Sequence, residues 1–268
     1  MQPRPTPATH RLSPGGFTLV ELLVVIAIIG ILAALMLPTL SKAKARATTV
    51  ICRNNLRQLE ICWHLYIADN QDVMPPNNFV YTVTVGSTNA PTAAKSEDQM
   101  TWCSGLAPLD TNDVSAATSL LFIYNTQPAI YHCPADQSTV TGYPGLLRKR
   151  SYNMSNSANC ADDNHFRKFT EILNPTSLFI FIDTDADEIW DSTFGVIAEG
   201  SYWQDYWIDV PADRHQRGTT LSFADGHTES WHWKAPKGGH IPGDHTTGPD
   251  DLDDLRRLQQ HIKGAGGN

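Results

Sequence analysis

The chain has 268 residues, with 20 Lys and Arg against 28 Asp and Glu and a formal net charge of −8. That length leaves room for one anchoring segment and one domain of roughly 150–200 residues. The acidic balance argues against a nucleic-acid partner, and the five cysteines, none in a CxxC pair, argue against a zinc knuckle.

The chain opens on a polar, Pro-rich leader with two basic residues, Arg4 and Arg11. Gly15 and Gly16 follow, then Phe17-Thr18-Leu19-Val20-Glu21-Leu22-Leu23 and an apolar stretch ending near Leu37. About 20 mostly apolar residues are long enough to cross a bilayer as a helix. A secretory signal peptide has its small-residue cleavage site after the apolar region. Here the small-residue pair precedes it, so cleavage there leaves the apolar helix on the mature protein. The lone carboxylate, Glu21, costs a few kcal/mol inside such a helix, which calls for a partner or a function.

The run GGFTLVELLVVIAIIGILAALMLP, Gly15 to Pro38, resembles the N-terminus of type IV prepilins and type II secretion pseudopilins. The resemblance implies that a membrane-embedded prepilin peptidase cuts between Gly16 and Phe17 and methylates Phe17. It also implies that Glu21 pairs with the methylated amine of Phe17 on a neighbouring subunit. Lys42, Lys44 and Arg46 follow the apolar run closely, and the positive-inside rule alone places that side in the cytoplasm. The resemblance implies the opposite orientation: the leader faces the cytoplasmic peptidase and the C-terminal domain is periplasmic. In that oxidising space disulfides are permitted. Cys52, Cys62, Cys103, Cys133 and Cys160 allow at most two bridges, and their pairing is open.

Residues 17–69 read as one long helix, about 80 Å at 1.5 Å per residue, in which Pro38 is expected to introduce a bend or a melted turn. Past Pro38 the pattern becomes amphipathic. Cys52, Leu56, Leu59, Trp63 and Tyr66 follow a 4-3-4-3 spacing and form one stripe that needs cover. Residues 70–114 read as a loop region with one short hairpin, marked by the alternation at 80–85. Residues 115–125 read as a short helix capped by Ser115. Strands are expected at 150–154 and 178–183, and a hairpin at 219–233 around an Asp225-Gly226 type I′ turn. Trp231 and Trp233 share a face and are expected to pack on the long helix. From Lys234 Gly and Pro dominate, and 250–263 reads as a short charged helix or a tail.

His215, nine residues, then Asp225-Gly226 resembles the H-x9-DG signature of prepilin-like proteins abundant in Planctomycetes and Verrucomicrobia. Tyr131 to Asp136 and Arg150 to Met154 resemble two further blocks of that group, which is closest in style to the major pseudopilin of type II secretion.

Two constellations carry possible chemistry. Asp183, Asp185 and Asp187, with Glu188 and Asp191 behind them, alternate on a loop and can converge on a hard cation such as calcium. The spacing is not that of an EF-hand, since position six is Glu188 and position twelve is Phe194. The resemblance adds support, because major pseudopilins carry a calcium site in a C-terminal loop. His215, Asp225, His227 and His232 form a second set. It suits zinc or iron, or a structural role in which His215 ties the Asp225-Gly226 turn to an adjoining loop; the structural role is favoured. Trp190, Trp203 and Trp207, with Tyr202 and Tyr206, read as aromatic core or subunit interface before a carbohydrate-contacting surface. There is no GxSxG, P-loop or HExxH motif, and nothing points to an enzyme.

The expected fold is α+β and pilin-like, a long N-terminal helix on a small antiparallel sheet. The expected parts are a leader at 1–16, a transmembrane and filament-core helix at 17–38, a globular domain at 39–233 and a tail at 234–268. The expected function is a structural subunit of a type II secretion pseudopilus or type IV pilus-like filament. Its partners would be prepilin peptidase, copies of itself or other pilins, inner-membrane assembly machinery and membrane lipid, with no nucleic acid. The rival reading is a prepilin-anchored surface or periplasmic protein that binds a polysaccharide or other ligand.

Overall fold

The computed structural model describes residues 18–81, 94–115, 117–160, 164–187, 189–240 and 243–264. It divides into two compact units, Met1–Lys44 and Ala45–Asn268.

Helix α1 runs Leu19–Asp69. It is long and apolar enough to cross a membrane. Pro38 lies inside it, and no turn is melted there. In the first unit the large apolar side chains from Leu19 to Leu40 are all exposed. In the second unit the helix is amphipathic, as the stripe predicts. Cys52, Leu56, Leu59 and Trp63 are buried and Tyr66 packs partly buried beside them.

Eleven short strands follow among the described residues. β1 (Asn77–Tyr81) and β2 (Ala94–Thr101) form an antiparallel hairpin; residues 82–85 of the predicted alternation lie outside the described residues. β3 (Thr139–Val140) pairs with β4 (Tyr143–Leu147). β5 (Tyr152–Ser155), β6 (Phe179–Asp183), β7 (Thr193–Phe194), β9 (Gly218–Phe223) and β10 (Thr228–His232) build a five-stranded sheet in the order β10-β9-β6-β5-β7. All its pairings are antiparallel except β5 with β7. β8 (Tyr206–Trp207) pairs with β11 (Asp244–His245), and α2 runs Pro249–Gln259. This is the α+β, pilin-like architecture expected.

Every residue of β5, β6 and β9 is buried, because the sheet is covered on both faces. One apolar cluster joins the α1 stripe to Tyr152, Met154, Ile180 and Phe181. The other joins Phe179, Leu221, Phe223, Trp231 and Trp233 to Leu255, Leu258 and Ile262. The two tryptophans therefore pack on α2 and not on α1. Alternation along β10 points them to the face opposite the long helix.

Three further expectations are corrected. Where a helix is expected at 115–125, residues 117–124 form turns and a β-bridge from Ser119 to Cys103, not a helix. The Ser104 and Leu120 amides bond to the carbonyls of Thr118 and Trp102, so backbone groups a helical ladder needs are committed to a neighbouring segment. The β9–β10 turn is not type I′, which requires positive φ at both central residues. Gly226 alone has it, at φ 90°, and its amide bonds to the Phe223 carbonyl, giving a type I turn closed by a left-handed glycine. The segment from Lys234 is not a loose tail. Lys237 is fully buried, bonding Asp251 at 2.7 Å and Asp254 at 2.8 Å.

Candidate functional site

Gly16 and Phe17 lie outside the described residues. Glu21 is described. Its Oε2 accepts from the Thr18 amide at 2.8 Å and the Thr18 hydroxyl at 2.7 Å, and the Glu21 amide donates to Thr18 Oγ1 at 3.2 Å. This reciprocal capping box starts α1 and gives the carboxylate partners within its own chain.

Among the described residues, one cluster of metal-ligating side chains is buried in the domain. The α1 stripe presents Cys52, and Cys133 follows a 3-10 turn at Pro128–Tyr131. Asp183 is the last residue of β6, and His215 sits in the loop before β9. His215 Nε2 lies 3.2 Å from Cys133 Sγ and 3.1 Å from Asp183 Oδ2. Cys52 Sγ lies 3.8 Å from the same Asp183 oxygen. One donor atom from each of the four residues lies within 4.8 Å of the others, and all four are buried.

A second layer holds these groups in place. His215 Nδ1 lies 3.2 Å from Thr49 Oγ1. The Tyr152 hydroxyl donates to Cys52 Sγ at 3.2 Å, and Thr220 Oγ1 lies 2.8 Å from that sulfur. Arg214 bridges Asp136 at 2.8 Å and Asp183 Oδ1 at 3.4 Å. After His215, Gln216 and Arg217 take positive φ of 59° and 63°. Two consecutive non-glycine residues there are costly. At Gly218 a Cβ would stand 2.1 Å from the Trp231 carbonyl oxygen, so only glycine fits. A cavity of about 410 Å³, lined by Arg46, Thr49, Arg53, Trp231 and His232, reaches His215 from outside.

Burial disfavours a charged imidazole at His215, but bonds to Asp183 and Cys133 outweigh it and push the pKa up to about 9. Burial also pushes the Cys133 thiol far up. Desolvation works against the Asp136 carboxylate, and Arg214 with the Ser151 and Ser138 bonds still holds it below its ordinary value.

The sequence-predicted sets are divided differently. His215 does not bond the Asp225-Gly226 turn, because the two stand at opposite ends of the six-residue strand β9, about 20 Å of extended chain. Asp225 instead bonds His227, and His232 is exposed beside the Gln216 carbonyl. Of the three loop aspartates, Asp183 turns into the core. Asp185 accepts from the Asp187 amide at 2.9 Å, and Asp187 is exposed. Among the described residues, the converging donor set contains Asp183 but neither Asp185 nor Asp187. Sequence reading missed Cys52 and Cys133 as partners of His215. The available signal was that a stripe residue, a strand end and the His-x9-Asp-Gly histidine all carry metal-ligand side chains.

Aromatic residues also line an exposed edge. Tyr202 is 85% exposed and Trp203 40%. Ring centroids step from Tyr202 to Trp203 at 5.1 Å, to Tyr206 at 4.9 Å and to His245 at 4.9 Å. Trp207 is buried and Trp190 half-buried.

No curated protein and no solved structure matches the chain. Residues 13–37 match the family model of the prokaryotic N-terminal methylation motif. The chain thus carries, at the start of its apolar helix, the motif of prepilin-type processing.

Proposed function

We propose that this chain is a filament subunit of the pilin or pseudopilin type. A prepilin peptidase cuts it between Gly16 and Phe17 and methylates Phe17. The observation that carries this reading is the methylation motif at residues 13–37, joined to a helix half whose large apolar side chains are all exposed. Such a surface needs lipid, or like helices of other subunits, to cover it. In the filament Glu21 leaves its Thr18 cap and pairs with the Phe17 amine of a neighbour. Inner-membrane assembly machinery draws subunits from the bilayer, and the domain lies on the extracytoplasmic side.

Intact-mass analysis of membrane-extracted protein should find a methylated chain beginning at Phe17; any other start overturns the processing assignment. Glu21→Ala should insert in the membrane as well as wild type, because it removes an intramembrane charge. It should yield few or no sheared filaments. Wild-type filament levels from this variant would refute the pairing.

A second reading, a prepilin-anchored surface protein that binds polysaccharide, is favoured by the exposed Tyr202 and Trp203 and the half-buried Tyr206 beside them. Aromatic faces of this kind suit the apolar faces of sugar rings. Processed protein that never pellets as filaments but is retarded in affinity gels by a glycan, less so as Trp203→Ala, would replace the first reading with the second.

A further inference from the structure

We propose that Cys52, Cys133, Asp183 and His215 form a structural zinc site at the junction of α1 and the sheet. This goes beyond the filament role and does not depend on it. Four protein donors converge, as tetrahedral zinc requires. Around zinc, ligand-to-ligand edges run from about 3.3 Å for nitrogen with oxygen to about 3.8 Å for two sulfurs, given ordinary zinc–ligand lengths. The observed edges are 3.1 Å for His215 Nε2 to Asp183 Oδ2 and 3.2 Å for His215 Nε2 to Cys133 Sγ. Cys52 Sγ to Asp183 Oδ2 is 3.8 Å. The remaining edges lie within 4.8 Å, so side-chain movement of up to about an ångström admits the ion.

The donor set selects the metal. Two thiolates, one imidazole and one carboxylate suit a borderline-soft, four-coordinate ion. Calcium needs six to eight oxygens, which this cluster lacks. The supporting contacts are those of a metal centre. Thr49 engages His215 through Nδ1 at 3.2 Å and leaves Nε2 facing the cluster. Arg214 pairs its charge with Asp183 Oδ1 at 3.4 Å, without a hydrogen bond, and leaves Oδ2 facing the cluster. Tyr152 donates to Cys52 Sγ at 3.2 Å. Such outer contacts orient ligands and raise affinity. The cavity that reaches His215 supplies an entry path. Binding converts both thiols to thiolates and the His215 imidazolium to neutral imidazole, and releases the three protons to solvent. All four sites being protein side chains, the centre is closed and works as a crosslink between segments far apart in sequence.

The test uses the full-length chain, expressed with added zinc, extracted in detergent and purified without chelator. Elemental analysis should find one zinc per chain, and X-ray absorption should show two sulfur and two nitrogen or oxygen neighbours. Cys133→Ser and His215→Ala should lose most of the metal, while His232→Ala, beside the cavity but outside the cluster, should keep it. Should either cluster variant fail to fold, the absorption spectrum of the wild type decides alone, and a shell without sulfur overturns the site. Two other results overturn it: metal-free protein from zinc-replete cells, whether with free thiols or with a Cys52–Cys133 disulfide in peptide maps, and full zinc content in both cluster variants.

Discussion

Glu60 sits on the domain half of α1 and is fully buried. Its Oε2 accepts from the Ser222 hydroxyl at 2.7 Å, and its Oε1 has no hydrogen bond among the described residues. Its neighbours are His64, with Nε2 4.0 Å away, and the Asp225 carboxylate. Burial pushes its pKa well above the ordinary carboxylate value; the Ser222 bond pulls the other way and loses. An unfolded glutamate titrates near 4.3. Between that value and the raised native one, the folded protein holds a proton the unfolded chain has lost. Stability from this group is therefore complete below about pH 4 and falls as pH rises through the native pKa. Glu60→Gln keeps the shape and the bond to Ser222 but cannot ionise. Urea unfolding from pH 4 to 8 should show the variant gaining steadily on the wild type. Parallel curves would mean Glu60 is charged in the folded state. Nothing in the local sequence marks this residue: on a helix where Leu56, Leu59 and Trp63 spell out the apolar stripe, a glutamate one place on reads as solvated.

The C-terminal helix shows what pattern reading sees and what it misses. Proline at its first position, Asp250 and Asp251 in the first turn and Arg256 and Arg257 in the last all mark a helix and match its dipole. Six of the first nine residues of Pro249–Gln259 are charged, so the segment looks solvent-facing. Leu255, Leu258 and Ile262 nevertheless share a 3-4 spacing, and all are buried against the sheet. Arg257 stacks on the Trp231 ring at 3.9 Å, adding cover from a charged side chain. Leu258→Ala leaves a cavity in this second core and should cost roughly 2–5 kcal/mol. Denaturant titration measures it; a change below half a kcal/mol would mean the helix is dispensable to the fold. The β6 strand and the β9–β10 hairpin were legible because their apolar runs and the Asp-Gly turn are local. The turns at 117–124 were not, since long-range bonds to Trp102 and Ser104 decide them.

At the scale of the molecule the two units have opposite chemistry. The α1 stripe, both faces of the sheet and α2 are satisfied within Ala45–Asn268, while residues 19–40 expose their apolar side chains. The apolar run and the methylation motif are contiguous, so one stretch of sequence displays them whole. The Cys52, Cys133, Asp183, His215 cluster is spread over more than half the chain and exists only once the fold brings four segments together. The same division makes a prediction. Among the described residues both apolar clusters begin at or after Cys52, within the second unit. A fragment spanning residues 45–268 should therefore be soluble without detergent. It should show fixed near-ultraviolet dichroism from its buried tryptophans and unfold in one cooperative transition. The full chain, carrying the exposed apolar half of α1, should require detergent or lipid. A fragment that binds hydrophobic dye and melts without a transition would show that residues before Ala45 complete its core. The picture of an independently folded domain on a lipid- or filament-seeking helix would then fail.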